Sequence, residues 1–189
     1  MAAHYFERAL FIVGEQNSGK STQLRSMFRD ARLGTDGVIP SAANLREMYR
    51  LSNERSLYIR LSSPHERKEY IGRRPNEGAD NFLDKTAEKI AAGTPHAGKR
   101  WNFACPLQPH SANYMPNVVE TVRAFVGRFD PERTRVLFLS PDRHGDLLQG
   151  GHLPLVDSLR LIPSVEVAWV DARERTLNGL LIADVFEFT

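Results

Sequence analysis

Cysteine is almost absent from this 189-residue chain, in which Cys105 is the only one. No internal disulfide is therefore possible, and a lone cysteine without a nucleophile partner predicts a small buried residue at a strand end. Long apolar runs are also missing, since no segment approaches the ~20 residues of a membrane span. The N-terminus lacks the basic and apolar regions of a signal peptide. These absences favour a reducing cytoplasm as the compartment.

An excess of charge of either sign is missing too. Lys and Arg number 25 and Asp and Glu number 23, so the formal net charge is +2. This near-neutral balance disfavours a nucleic-acid partner and leaves the effect of any local basic cluster as a separate question. The length and ordinary composition predict one globular domain over residues 1–189 with a sizeable core.

The sequence also lacks histidine and cysteine residues at the spacing of a metal site. No histidine pairs in the sequence with another histidine or with Cys105 at a spacing typical of a zinc site, so no zinc site is expected. The histidines are scattered over the chain, at His4, His65, His96, His110, His144 and His152.

One stretch does carry a specific pattern. Residues 14–22 read GEQNSGKST and fit G-x-x-x-x-G-K-[ST]. An apolar run, residues 9–13, precedes them and predicts a buried strand, and apolar residues at helical spacing follow up to residue 31. Strand, glycine loop and helix is the order that directs backbone N–H groups and a helix N-terminus at a phosphate.

Each residue type in this stretch suits that chemistry. Gly14 and Gly19 permit backbone angles and close approaches that a Cβ would block. Lys20 places a positive charge against the β- and γ-phosphates, and the Ser21 hydroxyl can complete the shell of a magnesium ion. Thr22 can hydrogen-bond on the side of the α-phosphate. The predicted nucleotide-binding residues are Gly14, Asn17, Ser18, Gly19, Lys20, Ser21 and Thr22, with Ser21 as the metal ligand and Lys20 also catalytic.

This stretch resembles the Walker A motif of the P-loop nucleoside triphosphate hydrolases, a resemblance specific to residues 9–32. It implies an α/β three-layer sandwich with a mainly parallel sheet of about five strands, and a ligand of ATP with Mg²⁺. A second match to G-x-x-x-x-G-K, at residues 93–99, ends in Arg100 and lies between a helix and a strand. That order is the reverse of the one required, so Gly93 is interpreted as a helix-terminating glycine.

The remaining pattern alternates strands with helices, which predicts a parallel sheet covered on both faces. An N-cap at Asn117, with Glu120 three residues later, opens one of the helices. Predicted strands span residues 8–13, 57–61, 101–105, 134–139, 165–170 and 180–188. Predicted helices span residues 20–32, 44–51, 82–90, 117–129 and 154–161.

A P-loop enzyme also needs a carboxylate near the metal, and its position is not obvious. The strand at 101–105, expected beside the first strand, ends without Asp or Glu, although Gln108 could orient a water. In the strand order of the kinase-like members, Asp142 follows the strand adjacent to the first, and Ser140 precedes it. Asp171 follows a strand about 10 Å to the side. Asp142 is therefore the predicted catalytic carboxylate, before Asp171 and Glu15.

Other features bear on the subclass. The N-K-x-D motif of guanine-specific members is absent after residue 139, which disfavours GTP. Residues 148–152 resemble the transporter-ATPase signature faintly and are interpreted as a loop.

A segment rich in basic residues could form a lid over the phosphates, bind an acidic partner, or be a solvated loop. Its basic residues are Arg55, Arg60, Arg67, Lys68, Arg73 and Arg74.

These observations leave three functions open. The leading prediction is binding and hydrolysis of ATP with Mg²⁺, coupled to a protein partner. The first alternative is a small-molecule kinase whose acceptor pocket is formed by residues 34–80. The second alternative is a nucleotide-binding regulatory protein without hydrolysis, which would suit a chain lacking a strand-end carboxylate.

Overall fold

Five apolar segments form the parallel core of a six-stranded sheet in the computed structural model, which describes residues 5–66, 77–93, 99–148 and 150–186. The strand order is β2-β3-β4-β1-β5-β6, with β2 antiparallel to β3 and every other neighbouring pair parallel. The strands are β1 (Tyr5–Val13), β2 (Met48–Arg50), β3 (Arg55–Ile59), β4 (Arg100–Leu107), β5 (Arg133–Leu139) and β6 (Val165–Val170).

Helices connect the parallel strands, as parallel pairing requires. Asn117 caps α3 as its sequence predicts, because its side chain accepts a hydrogen bond from the backbone N–H of Glu120. The first predicted helix is shorter than expected and continues as two 3₁₀ turns, which end at Gly34. The helices are α1 (Lys20–Ser26), α2 (Glu77–Gly93), α3 (Val118–Phe129), α4 (Leu153–Arg160) and α5 (Arg175–Val185).

Two hydrophobic cores lie on opposite faces of the sheet, which gives three layers. On one face, α2, α3 and α4 pack around aromatic rings such as Phe11, Phe103 and Phe125. On the other face, α1 and α5 cover residues such as Leu10 and Ile12. Alternate residues of each strand enter alternate cores because a strand has a period of two residues. The predicted α/β architecture with a mainly parallel sheet is confirmed at this level.

Three predicted elements are wrong. Residues 44–51 contain β2 in place of a helix, and this short strand pairs with β3 at the sheet edge. The predicted final strand is part of α5, so the expected Asn178-Gly179 turn lies inside a helix. Pro106 does not end β4, which runs on to Leu107 alongside β1. Tertiary pairing and packing outweigh local propensity at each of these places.

The parallel arrangement places the loops that follow β1, β3, β4, β5 and β6 at one edge of the sheet. The predicted phosphate-binding loop follows β1, the central strand of this set. Crevices outside the carboxyl ends of parallel strands are where ligands bind in open α/β sheets. None of the helices in the described ranges is long and apolar enough to cross a membrane.

Candidate functional site

The loop of residues 14–19 leaves β1 and turns tightly into α1. The Gly14 N–H donates to the carbonyl of Leu107 at 3.3 Å, which ties the loop to β4. A Cβ at Gly14 would collide with Ser18 Oγ, and Gly19 has a φ of 101°, in the left-handed region. The backbone conformation therefore requires glycine at Gly19, whereas a side chain at Gly14 would displace Ser18. Asn17, with a φ of 63°, makes a second left-handed step.

Lys20, the first residue of α1, folds back over this loop. Its side chain is only 4% exposed, and Nζ donates to the carbonyl oxygens of Gly14 at 2.9 Å and Glu15 at 2.6 Å. Burial lowers the pKa of the ammonium, and the carboxylate of Glu66, 3.5 Å away, acts in the opposite direction. The charge predicted to meet a phosphate thus lies inside the loop, paired with one carboxylate.

The hydroxyl groups of the loop have different environments. Ser21 Oγ donates to the Leu61 carbonyl at 2.7 Å, so its proton is engaged and its oxygen keeps lone pairs for another partner. Ser18 Oγ is buried and has no hydrogen-bond partner among the described residues. An unsatisfied buried hydroxyl costs stability, which makes Ser18 a candidate ligand contact. Thr22 is part-buried, and its N–H donates to Gly19.

Asp142, the predicted catalytic carboxylate, lies at a cavity of about 370 Å³ that Gly14 and Ser18 also line. Its Oδ1 accepts hydrogen bonds from the backbone N–H groups of His144 at 2.7 Å and Asp146 at 3.1 Å. The carboxylate therefore also holds the turn after β5. Asp142 follows β5, and β5 is adjacent to β1, as the expected strand order requires.

Asp171 has a different environment. Its two carboxylate oxygens accept hydrogen bonds from Arg173, and these bonds lower the pKa of the Asp171 carboxyl group. Asp171 follows β6, two positions from β1, and does not line the cavity beside the loop. Ser140, the neighbour expected near a γ-phosphate, accepts a hydrogen bond from the Leu148 N–H. Asp142 therefore remains the better candidate, because it lines the cavity beside the loop and Asp171 does not.

Glu66 is a carboxylate that the sequence analysis did not select. It stands in a polar segment with other acidic residues, where its spacing has no distinguishing feature. The fold brings it to 3.5 Å from Lys20 Nζ. The preceding His65 is fully buried, with Nε2 2.9 Å from the Pro116 carbonyl, and burial lowers its pKa to about 4. This neutral ring fastens the segment beside the loop.

The proposed arginine lid loses two of its members. Arg55 pairs with the buried carboxylate of Glu7 at 2.9 Å, at the start of β3 and away from the loop. Arg60 is buried, with its guanidinium over the Phe82 ring. Both side chains have structural roles, so the lid hypothesis is wrong for them. The other basic residues of the segment lie outside the described residues: Arg67, Lys68, Arg73 and Arg74.

The second G-x-x-x-x-G-K match has the context that the sequence analysis assigned to it. Gly93 is the last residue of α2, and β4 begins at Arg100. Residues 94–98 lie outside the described ranges, whereas Lys99 is exposed. This match lacks the preceding strand and following helix of a phosphate loop.

The fold also groups residues that are far apart in the chain. Glu15 Oε1 lies 3.1 Å from Nε2 of the buried His152 and 3.8 Å from Nε2 of the exposed His110. The two imidazole rings are stacked, with centroids 4.9 Å apart. Nothing in the spacing of these residues along the chain predicts this grouping, because they belong to three separate loops. The sequence analysis expected no zinc site, and it did not predict that two histidines and Glu15 lie together.

Comparisons with known proteins add no relative. No protein-family profile, curated protein or solved structure matches the chain. The resemblance to P-loop proteins therefore depends on residues 14–22 and on their setting between β1 and α1.

Proposed function

We propose that the chain binds a nucleoside triphosphate, with ATP favoured, together with Mg²⁺, and hydrolyses it in the cytoplasm in concert with a protein partner. The proposal is supported mainly by the position of Lys20. Its buried ammonium lies inside a glycine loop between a central parallel strand and a helix. A buried charge with one partly exposed carboxylate as counterion is well suited to exchange that partner for phosphate oxygens.

The residues present fit a triphosphate with its metal. The loop between Gly14 and Gly19 turns tightly into α1 through left-handed backbone at Asn17 and Gly19, and among the described residues the buried Ser18 Oγ has no hydrogen-bond partner. Lys20 would bind the β- and γ-phosphates, and Ser21 would hold Mg²⁺ through the oxygen whose proton Leu61 engages. A bound Mg²⁺ neutralises charge on the phosphate oxygens. Asn17 and Thr22 complete the proposed nucleotide-binding set.

One assay separates this proposal from its two alternatives. Purified chain is incubated with ATP and Mg²⁺, with and without a panel of small-molecule acceptors that carry hydroxyl groups, and with and without a candidate protein partner. Phosphate release without an acceptor supports hydrolysis. Transfer to an acceptor would make the chain a kinase. Tight binding with neither reaction would make it a nucleotide-binding regulator.

The Ser21 hydroxyl tests the proposed metal contact. Ser21→Ala is expected to weaken ATP binding about tenfold in Mg²⁺, or about 1.4 kcal/mol, and much less in a chelator, because only the hydroxyl oxygen would contact the ion. The variant also loses the hydrogen bond to Leu61. That loss acts in both conditions, so the difference between them isolates the metal. Titration calorimetry measures both affinities, and an equal loss in the two conditions would exclude Ser21 as a ligand.

The carboxylate at Asp142 tests the proposed hydrolysis. Asp142→Asn is expected to lower turnover at least about tenfold, or about 1.4 kcal/mol of barrier, with little change in ATP affinity. The asparagine oxygen can still accept from His144 and Asp146, so the turn is retained. Asp171→Asn is the matched control and should do less, because Arg173 engages that carboxylate.

Steady-state phosphate release measures both variants, and Glu66→Gln is measured beside them because Glu66 lies nearest to Lys20. Turnover equal to that of the parent in Asp142→Asn, with a loss in Glu66→Gln, would transfer the catalytic role to Glu66. Unchanged turnover in both would mean that neither carboxylate takes part.

A further inference from the structure

Three potential metal ligands converge beside the phosphate loop. The ligand atoms of Glu15, His110 and His152 all lie within 4.8 Å of one another. A tetrahedral Zn²⁺ with bonds of 2.0–2.2 Å would separate any two ligand atoms by about 3.4 Å. The two separations from Glu15, 3.1 Å and 3.8 Å, lie on either side of this value. Small side-chain rotations would therefore bring the three atoms to coordination distance.

We propose that Glu15, His110 and His152 form a Zn²⁺ site. Two imidazoles and one carboxylate are a ligand set that zinc uses, with a fourth position left for water or another ligand. Imidazole ligands favour Zn²⁺ over Mg²⁺, so this site is chemically distinct from the magnesium position proposed at Ser21. Glu15 and His152 line the cavity of about 370 Å³, which gives the fourth position access to that space.

The orientation of the two histidines suits an ion. Each has Nε2 directed at the same carboxylate oxygen, Glu15 Oε1. His152 is buried, and its Nε2 donates a hydrogen bond to Glu15 Oε1 at 3.1 Å, whereas its Nδ1 has no hydrogen-bond partner among the described residues. An ion that binds Nε2 would displace this proton, and the neutral ring would then carry its proton on Nδ1. A divalent ion would also bring two units of positive charge to the Glu15 carboxylate.

The site would join three loops of the folded chain. Glu15 belongs to the loop after β1, His110 follows β4, and His152 ends the 3₁₀ turn before α4. These segments are distant in the sequence, so an unfolded chain does not hold the ligands together. Zn²⁺ should consequently bind the native state in preference and raise the unfolding temperature.

The test uses untagged full-length chain and Zn²⁺ alone, so its outcome is independent of nucleotide binding. Competition with a chromophoric chelator is expected to show one Zn²⁺ per chain, and Co²⁺ should give the visible absorption of a tetrahedral site. The principal variant is His110→Ala, because His110 is 60% exposed and its removal leaves the core intact. Its affinity for Zn²⁺ should fall by about 100-fold, since even loss of an outer-shell partner costs about 10- to 100-fold.

His144→Ala is the matched control. His144 lines the same cavity, but its Nε2 accepts a hydrogen bond from Arg143 and it is not one of the three ligands. Retained Zn²⁺ binding in His144→Ala, and loss in His110→Ala and Glu15→Gln, would support the site. No saturable binding to the parent, or equal weakening by His110→Ala and His144→Ala, would overturn it. A Zn²⁺-dependent rise in unfolding temperature should be present in the parent and absent in His110→Ala.

Discussion

Replacing Lys20 with alanine is expected to weaken ATP binding by about 100-fold or more while the fold is retained. Hydrogen bonds to charged groups contribute about 1.5–3 kcal/mol each, and the ammonium is proposed to contact two phosphates. A loss of about 3 kcal/mol corresponds to about 100-fold in Kd. The fold should survive because the lost contacts are two loop carbonyls and one partly exposed carboxylate. Titration calorimetry in Mg²⁺ measures the loss.

The chain provides its own control for this experiment. Lys99 stands at the end of the second G-x-x-x-x-G-K match and is exposed, so Lys99→Ala removes the same charge from a similar local sequence. Its ATP affinity should equal that of the parent. Lys20→Met is a second variant that keeps the aliphatic volume, in case the alanine variant is unstable. Equal ATP affinity in parent, folded Lys20→Met and Lys99→Ala would contradict the proposed phosphate loop.

Replacing Gly179 with alanine is expected to destabilise the protein by about 3 kcal/mol, within the usual range for overpacking and strain. Gly179 lies in α5, where a Cβ would overlap the carbonyl oxygen of Ser26 at the end of α1. This neighbour is backbone and cannot rotate away, so α5 must move from the sheet or α1 must distort. Chemical denaturation measures the free energy of unfolding.

Gly127→Ala is the matched control for the helix itself. Gly127 is exposed in α3, and apart from its chain neighbours and the nearby backbone of its own helix no atom lies within 4 Å of the position its Cβ would take. Alanine has the higher helix propensity, so this variant should gain about 0.5–1 kcal/mol. The two substitutions are chemically identical, and their opposite signs would isolate the contact with Ser26. A neutral or stabilising Gly179→Ala would mean that α5 does not pack this closely against α1.

The sequence predicts the parallel core well because its five strands are short apolar runs separated by helical periodicity. It also predicts the setting of the loop, since residues 14–22 stand between an apolar run and a helical pattern and Gly19 has a left-handed φ. It fails at β2, whose three residues gain their structure from pairing with β3. It fails again at α5, where the apolar residues after Gly179 suit a strand or a buried helix equally, and packing on α1 decides.

The candidate site is less predictable than the fold because its members meet only in three dimensions. Glu66 lies beside Lys20 because the preceding residue, the buried His65, hydrogen-bonds the Pro116 carbonyl in the loop that follows β4. His110 and His152 lie close to Glu15 although the spacing of the three residues along the chain does not predict it. The catalytic role of Asp142 stays a prediction, supported by a place at the cavity and by the engagement of Asp171 with Arg173.

The loop around Lys20 is proposed to bind the β- and γ-phosphates of a nucleotide. Equilibrium binding of ATP, ADP and AMP to the parent chain in Mg²⁺ tests it most directly, because the three ligands share a base and differ in those phosphates. We expect saturable one-to-one binding of ATP, with AMP weaker by about 100-fold or more, or about 3 kcal/mol. Absence of ATP binding, or equal affinity for AMP and ATP, would contradict it.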